Sequence, residues 1–212
     1  MNKAEQLTIL QQNYLSCGKC DLCHTRNQVV FGFGNLDAKL MIIGQSPGVE
    51  EDKAGRPFVG ISGKLLNYLL TQAKLDRLQI YITNTLLCYV KPGISTKDDQ
   101  IMACRNRLQE EIGIIKPKVI VTLGAPALYA LCWSKDSIWR NRKPKQLSNG
   151  IWHVATYHPA AALYHGDKGK GIIDNIITDL RKAKLIIDIL ERKTDILPCL
   201  KTWAFSLTHV NE

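Results

Sequence analysis

The chain has 212 residues, 45% hydrophobic and 22% charged, the balance of one globular domain that can bury a core rather than of a disordered segment. No apolar run approaches the roughly 18 residues that a membrane-spanning helix needs, which excludes such a helix. A net charge of +9, from 28 Lys and Arg against 19 Asp and Glu, points to an anionic partner, nucleic acid foremost, unless it is only a solvated basic surface.

Residues 4–15 carry Leu7, Leu10 and Tyr14 at helical spacing. The opening MNKAEQLTILQQNYLS has no basic stretch leading into an apolar one, so no export signal is read and a cytoplasmic location is expected. A cysteine-rich turn follows. KLMIIG (39–44) is a short apolar run ending in glycine, the pattern of a buried strand. Residues 45–61 read as one long loop rich in glycine and proline, and 63–75 as a helix with Leu65, Leu66, Leu69 and Leu70 on its inner side. QIYITNT (79–85) alternates like a strand. Thr96, ahead of Asp98 and Asp99, is the expected N-cap of a helix that runs to about residue 115 before Pro117. KVIVTLG (118–124) is a third strand, followed by a helix from Ala125. Residues 134–150 are polar, basic and turn-rich, and IWHVATYHP (151–159) gives a fourth strand and a loop. A long helix over 171–190 sets Ile173, Ile176, Ile177, Leu180 and Ile187 on one face. The last residues, 191–212, have no period and read as a tail to a single domain over 1–190.

Strands separated by helices imply an α/β fold with parallel pairing through crossovers, and in such sheets sites lie at the carboxyl ends of the strands. Topology therefore predicts that Gly44–Phe58, the Asn84–Cys88 segment and His158 converge on one crevice.

Seven cysteines in a chain without an export signal suggest metal binding or buried thiols rather than disulfides. Cys17 and Cys20 have the two-residue gap that lets two thiolates share a metal centre, and Cys88 and Cys104 complete a set of four. Four thiolates suit zinc or an iron–sulfur cluster alike, and a second gap of the same kind, Cys20 to Cys23, leaves the ligand set open. Cys132 and Cys199 read as buried thiols.

In GQSPGVEEDKAGRPFVGISGKLL (44–66), Phe58 is either a stacking platform for a base or a loop anchor. Glu50, Glu51 and Asp52 are either catalytic carboxylates or a solvated acidic corner. Asn84 either closes a turn or presents an amide to a ligand. Arg140, Arg142, Lys143, Lys145, Lys168 and Lys170 are either phosphate contacts or a solvated basic face.

The same segment resembles motif A of the family 4 uracil-DNA glycosylases, the iron–sulfur branch of the uracil-DNA glycosylase superfamily. That motif runs Gly-Glu-x-Pro-Gly, Glu-Asp, Gly-x-Pro-Phe-Val-Gly and a helix start. The resemblance covers about residues 10–190. It takes in Cys17 and Cys20, Arg26, VVFGFG (29–34), Asn84 four residues before Cys88, Cys104, VIVTLGAPA (119–127) and the motif B loop TYHPAA (156–161).

The resemblance implies a three-layer αβα sandwich with a short central parallel sheet. It implies a structural 4Fe–4S cluster on Cys17, Cys20, Cys88 and Cys104, with zinc as the alternative and Cys23 as a bystander. The implied activity is that of a monofunctional DNA glycosylase, a hydrolase that removes uracil from DNA and leaves an abasic site for base excision repair. The expected enzyme is a monomer whose partner is single- or double-stranded DNA and which has no membrane association. Phe58 would stack on the base and Asn84 would pair with it. The Ser46 backbone N–H would touch it, and His158 would donate a hydrogen bond to uracil O2, with Pro159 fixing the loop. Glu51 would serve either as the carboxylate that handles water or as a wall against the base's 5-substituent. The sequence departs from the pattern at Gln45, where the family has Glu, and at Tyr164, where many relatives carry Arg. An amide can position water but cannot be a general base. Two other readings follow: a glycosylase of the same fold for a different or modified pyrimidine, and a nucleic-acid-binding module without catalysis.

Overall fold

The computed structural model describes residues 1–91, 93–164 and 168–207, the side chains of 168 and 193–207 excepted. One sheet of six strands organises them: β1 (Phe33–Gly34), β2 (Leu40–Gly44), β3 (Ile80–Asn84), β4 (Val119–Leu123), β5 (Lys145–Gln146) and β6 (Trp152–Thr156), in the order β1-β3-β2-β4-β6-β5. The four central strands are parallel, in register from Leu40 beside Ile80 to Gly44 beside Asn84, and from Val119 beside Trp152 to Leu123 beside Thr156. These are the four strands expected from the sequence. The two edge strands are antiparallel and only two residues long, too short to leave a periodic signal.

Alternation along each central strand divides the core in two. Met41, Ile43, Tyr81 and Ile120 face a layer built by α1 (Lys3–Tyr14), α4 (Asp98–Ile115) and α5 (Ala125–Cys132). Leu40, Ile42, Ile80, Ile82, Val119, Val121 and Val154 face the opposite layer, made by α3 (Ile61–Gln72) and α8 (Lys168–Leu207). The result is a helix–sheet–helix sandwich, as expected. Among the described residues no helix is long and apolar enough to cross a membrane.

The sequence misread five stretches. The loop expected over 45–61 contains α2 (Val49–Ala54), whose first turn carries Glu50, Glu51 and Asp52, charges that favour a helix N-terminus. The N-cap of α4 is Lys97 rather than Thr96, and Gln100 reaches back to take the Lys97 N–H at 3.0 Å. The basic stretch 134–150 contains α6 (Ile138–Asn141) and β5, and α7 (Pro159–Tyr164) follows the last strand. The backbone of α8 continues beyond residue 190 to Leu207.

The chain passes from β2 to β3 on one side and then crosses to β4 and β6 on the other. The loops after the central strands therefore diverge and leave a crevice at their carboxyl ends.

Candidate active site

Gly44 ends β2 directly beside Asn84, the last residue of β3. A Cβ on Gly44 would collide with Asn84 Oδ1 and with the Phe58 ring, so only glycine lets the amide and the ring close over the strand end. The corner is tied by backbone: Thr85 donates to the Gly44 carbonyl through its N–H at 2.9 Å and its hydroxyl at 3.0 Å, and the Leu86 N–H donates to the Gln45 carbonyl at 3.0 Å.

Phe58 has a left-handed backbone, φ 56°, a conformation that costs a non-glycine residue about 1–3 kcal/mol and that surrounding structure must enforce. Gly63 is part of that enforcement, because α3 packs so tightly on the Phe58 carbonyl that a Cβ there would overlap it. The Phe58 ring lies 5.9 Å from the ring of His158, inclined by 29°. His158 Nδ1 accepts the Ala160 N–H at 3.1 Å, which places the imidazole proton on Nε2. Desolvation lowers the His158 pKa to about 4, so at neutral pH the ring is an uncharged donor.

Glu51 is buried, and its carboxylate ties two helix starts together. Oε2 accepts the N–H of Gly48, the N-cap of α2, at 3.1 Å, and Oε1 accepts the N–H of Gly60, the N-cap of α3, at 2.7 Å. Asp52 is buried as well and accepts the Asn27 N–H at 2.9 Å and the Asn27 side-chain amide at 2.7 Å. Of the three acids only Glu50 stands in solvent, so the solvated corner that the sequence allowed does not describe Glu51 or Asp52.

A cavity of about 530 Å³ opens at this end of the sheet and is lined by Gln45, Ser46, Glu51, Phe58, Ser62, Asn84, Lys91, Ile94, His158 and Tyr164, among others. The three predicted segments do converge there. Asn84 Oδ1 is buried beside it without a hydrogen-bond partner, an acceptor awaiting a donor. Cys88, expected at the same crevice, instead lies in the cluster of α1, α4 and α5.

Residues 31–181 match the Uracil DNA glycosylase superfamily. A type-4 uracil-DNA glycosylase from Thermotoga maritima is 35% identical over 187 residues, which cover 87% of this chain and 96% of that protein. The type-4 enzyme of Sulfurisphaera tokodaii is 35% identical over 76% of this chain and 77% of its own length. The chain belongs to the type-4 branch of the uracil-DNA glycosylase superfamily. A type-5 uracil-DNA glycosylase from Pyrobaculum aerophilum is more distant, at 23% identity over 71% of this chain.

In this family member the four cysteines matched to the motif lie in or against one apolar cluster, to which they come from separate segments. Cys88 and Cys104 are buried in the α1–α4 cluster, and Cys17 and Cys20 pack against it. Burial raises the Cys88 thiol to about 11, and the sulfurs of Cys104 and Cys20 both bear on it. Arg26 opposes that shift by donating to Cys88 Sγ at 3.0 Å, while its other nitrogen holds the Cys17 carbonyl at 2.7 Å. Cys23 is half-buried nearby. Among the described residues no three His, Cys, Asp or Glu side chains are arranged to hold a single metal ion.

The basic candidates divide. Arg140, Lys143 and Lys170 are exposed, Lys145 is half-buried, and the side chain of Lys168 lies outside the described residues. Arg142 does not belong to an exposed basic face. It is 9% exposed and its Nε donates to Asp179 at 2.6 Å, where a fully buried carboxylate on α8 requires a counter-charge. His153, without a role in the sequence reading, is buried with Nε2 at 2.8 Å from Thr122 Oγ1 and Nδ1 at 3.6 Å from Cys132 Sγ. Sequence reasoning also missed Arg107 and Glu111, a buried ion pair on α4 beneath Asn84. Their signal was available: two charged residues at i and i+4 among the inward positions Cys104, Leu108 and Ile112.

Proposed function

We propose that this protein is a monofunctional DNA glycosylase that hydrolyses the N-glycosidic bond of uracil in DNA and leaves an abasic site for base excision repair. The observation that carries the reading is the unpartnered Asn84 Oδ1 beside a cavity bounded by Phe58 and His158.

The uracil nucleotide enters flipped out of its stack, since its bond is out of reach inside a duplex. Phe58 supports one face of the base. Asn84 Oδ1 accepts the uracil N3–H while its amide nitrogen donates to O4. Cytosine presents the opposite pattern at those atoms and leaves both ends of a fixed amide mismatched. The His158 Nε2–H donates to O2 and stabilises the negative charge that the base acquires as the N1–C1′ pair withdraws onto it. Water then bonds to C1′, and the proton it gives up neutralises the departed uracil anion. Gln45 orients that water through its amide. Glu51, anchored by two backbone N–H groups, holds a fixed negative charge beside the cationic sugar. The Ser46 backbone lines the base edge. Arg140, Lys143, Lys145, Lys168 and Lys170 attract the phosphate backbone.

Cys17, Cys20, Cys88 and Cys104 would hold a 4Fe–4S cluster. The donor set fits that group: four thiols from separate segments in an apolar setting can supply one thiolate to each iron. Such a cluster would tie the N-terminal segment to α4 and is needed in no step of the hydrolysis.

The test is to incubate the protein with oligonucleotides carrying one uracil or one 5-substituted uracil and to identify the released base by chromatography. Uracil release supports the reading. Release of the substituted base alone would reassign the substrate.

A further inference from the structure

We propose that Arg107, held by Glu111, is a positioning residue for base recognition, one that sets the orientation of the Asn84 amide from the side opposite the cavity. The inference rests on the assignment of Asn84 as the uracil-pairing residue.

Arg107 is 0% exposed and Glu111 2%. A buried ion pair is a poor device for stability, because an apolar pair of similar volume commonly does as well. What this pair does is specific to one corner of the sheet. One terminal nitrogen of Arg107 donates to the carbonyls of both Asn84 and Thr85, each at 2.7 Å. The other donates to Glu111 at 2.6 Å and to the Thr83 hydroxyl at 3.3 Å. Glu111 is itself fixed by the Tyr81 hydroxyl and the Thr83 hydroxyl, each donating at 2.8 Å. Residues 81, 83, 84 and 85 are thus all tied to one guanidinium–carboxylate unit. The planar fork of arginine makes this possible, and a lysine ammonium could not span the same acceptors in one plane.

The Thr85 amide and hydroxyl carry the constraint to Gly44, and Leu86 carries it to Gln45. The clamp therefore fixes both the residue that pairs with the base and the residue beside the attacking water. Meanwhile Asn84 Oδ1 makes no hydrogen bond within the protein, so its direction depends on the backbone beneath it. A pairing amide held only by its own torsions would lose discrimination between an N3–H donor and an acceptor.

The experiment compares the parent with Arg107→Lys and with the paired apolar variant Arg107→Met/Glu111→Leu, which removes both charges together. Three quantities are read: thermal melting, binding of abasic-site DNA, and inhibition of base release by free uracil alongside kcat and KM. The expected result is abasic-DNA binding within about twofold of the parent, with free uracil at least tenfold weaker as an inhibitor and kcat/KM reduced at least tenfold in both variants. Folded variants that keep the parent's affinity for free uracil would overturn the positioning role. If the double variant does not fold, Arg107→Lys decides the matter by the same readouts. A parent that releases no uracil would instead remove the assignment of Asn84, an outcome visible before any variant is made.

Discussion

The Asn84 side chain lies against Gly44, the residue beside it across the sheet, so closely that no Cβ fits between them. This contact places a buried side-chain oxygen without a hydrogen-bond partner at the end of the central strands, where the loops diverge. Replacing Asn84 with Ala removes both partners of the base's pairing edge. Leaving buried polar groups of the base unpaired costs about 1–3 kcal/mol each, so losing both is expected to lower kcat/KM for uracil release by roughly 30- to 20,000-fold. Single-turnover base release checks this, with binding of abasic-site DNA as the control that stays unchanged.

His158 acts as a neutral donor in this account. Its folded pKa of about 4 is below the ordinary histidine value of about 6.5, so the ring is already uncharged at pH 6. Base release is expected to show no titration step near pH 6.5 that disappears in His158→Gln. Removal of the donor in His158→Ala should cost about 100- to 1000-fold in kcat. Rate profiles from pH 5.5 to 8 for parent and variants test both statements.

Glu51→Gln separates anchoring from proton chemistry. An amide has one acceptor oxygen, whereas the carboxylate serves the N–H groups of both Gly48 and Gly60. One buried N–H would lose its partner, and the variant should be less stable by about 1–3 kcal/mol, visible as a drop of several degrees in melting temperature. A variant with unchanged melting and lost activity would mean that the Glu51 charge serves the reaction and not the anchoring of Gly48 and Gly60.

Stability should also fall as the solution is acidified. Burial lowers the His153 pKa to about 3, with Lys145 adding to the effect. The unfolded chain takes up this proton first, near pH 6.5, so the stabilisation is full above that pH and is lost as pH falls from about 6.5 toward 3. The slope is at most about 1.4 kcal/mol per pH unit for this one group. His153→Gln should be less stable at pH 7 and show a shallower decline, as read by denaturant titration at pH 7, 6 and 5.

The cysteine set predicts a brown protein with broad visible absorbance, containing iron and acid-labile sulfide. Cys88→Ser and Cys20→Ala should lose the colour and melt at a lower temperature. A colourless parent carrying one zinc per chain would contradict the cluster.

Much of the fold was legible because each central strand is a short apolar run ending in a small or polar residue, as in KLMIIG and KVIVTLG. The convergence of Gly44, Asn84 and His158 followed from the alternation of strands and helices, which puts sites at the carboxyl ends of parallel strands. The two-residue edge strands β1 and β5 and the short helices α2, α6 and α7 were not legible: they are held by contacts distant in sequence, and nothing periodic marks them. Phe58 could be suspected but not placed, since its left-handed backbone depends on Gly63 approaching from α3. Arg142 was misjudged because a basic run gives no sign of the carboxylate 37 positions later that buries one of its members. The charges of Arg107 and Glu111 were in view, but their purpose depends on carbonyls of another element.

The most direct test of the central claim is base release from a single-stranded oligonucleotide carrying one uracil, read as strand cleavage after alkali. Cleavage at the uracil position by the parent is expected, showing that the amide of Gln45 is compatible with hydrolysis, with far slower cleavage by Asn84→Ala under the same conditions. Parent protein that holds its metal centre and binds the oligonucleotide, yet yields no cleavage, would contradict it.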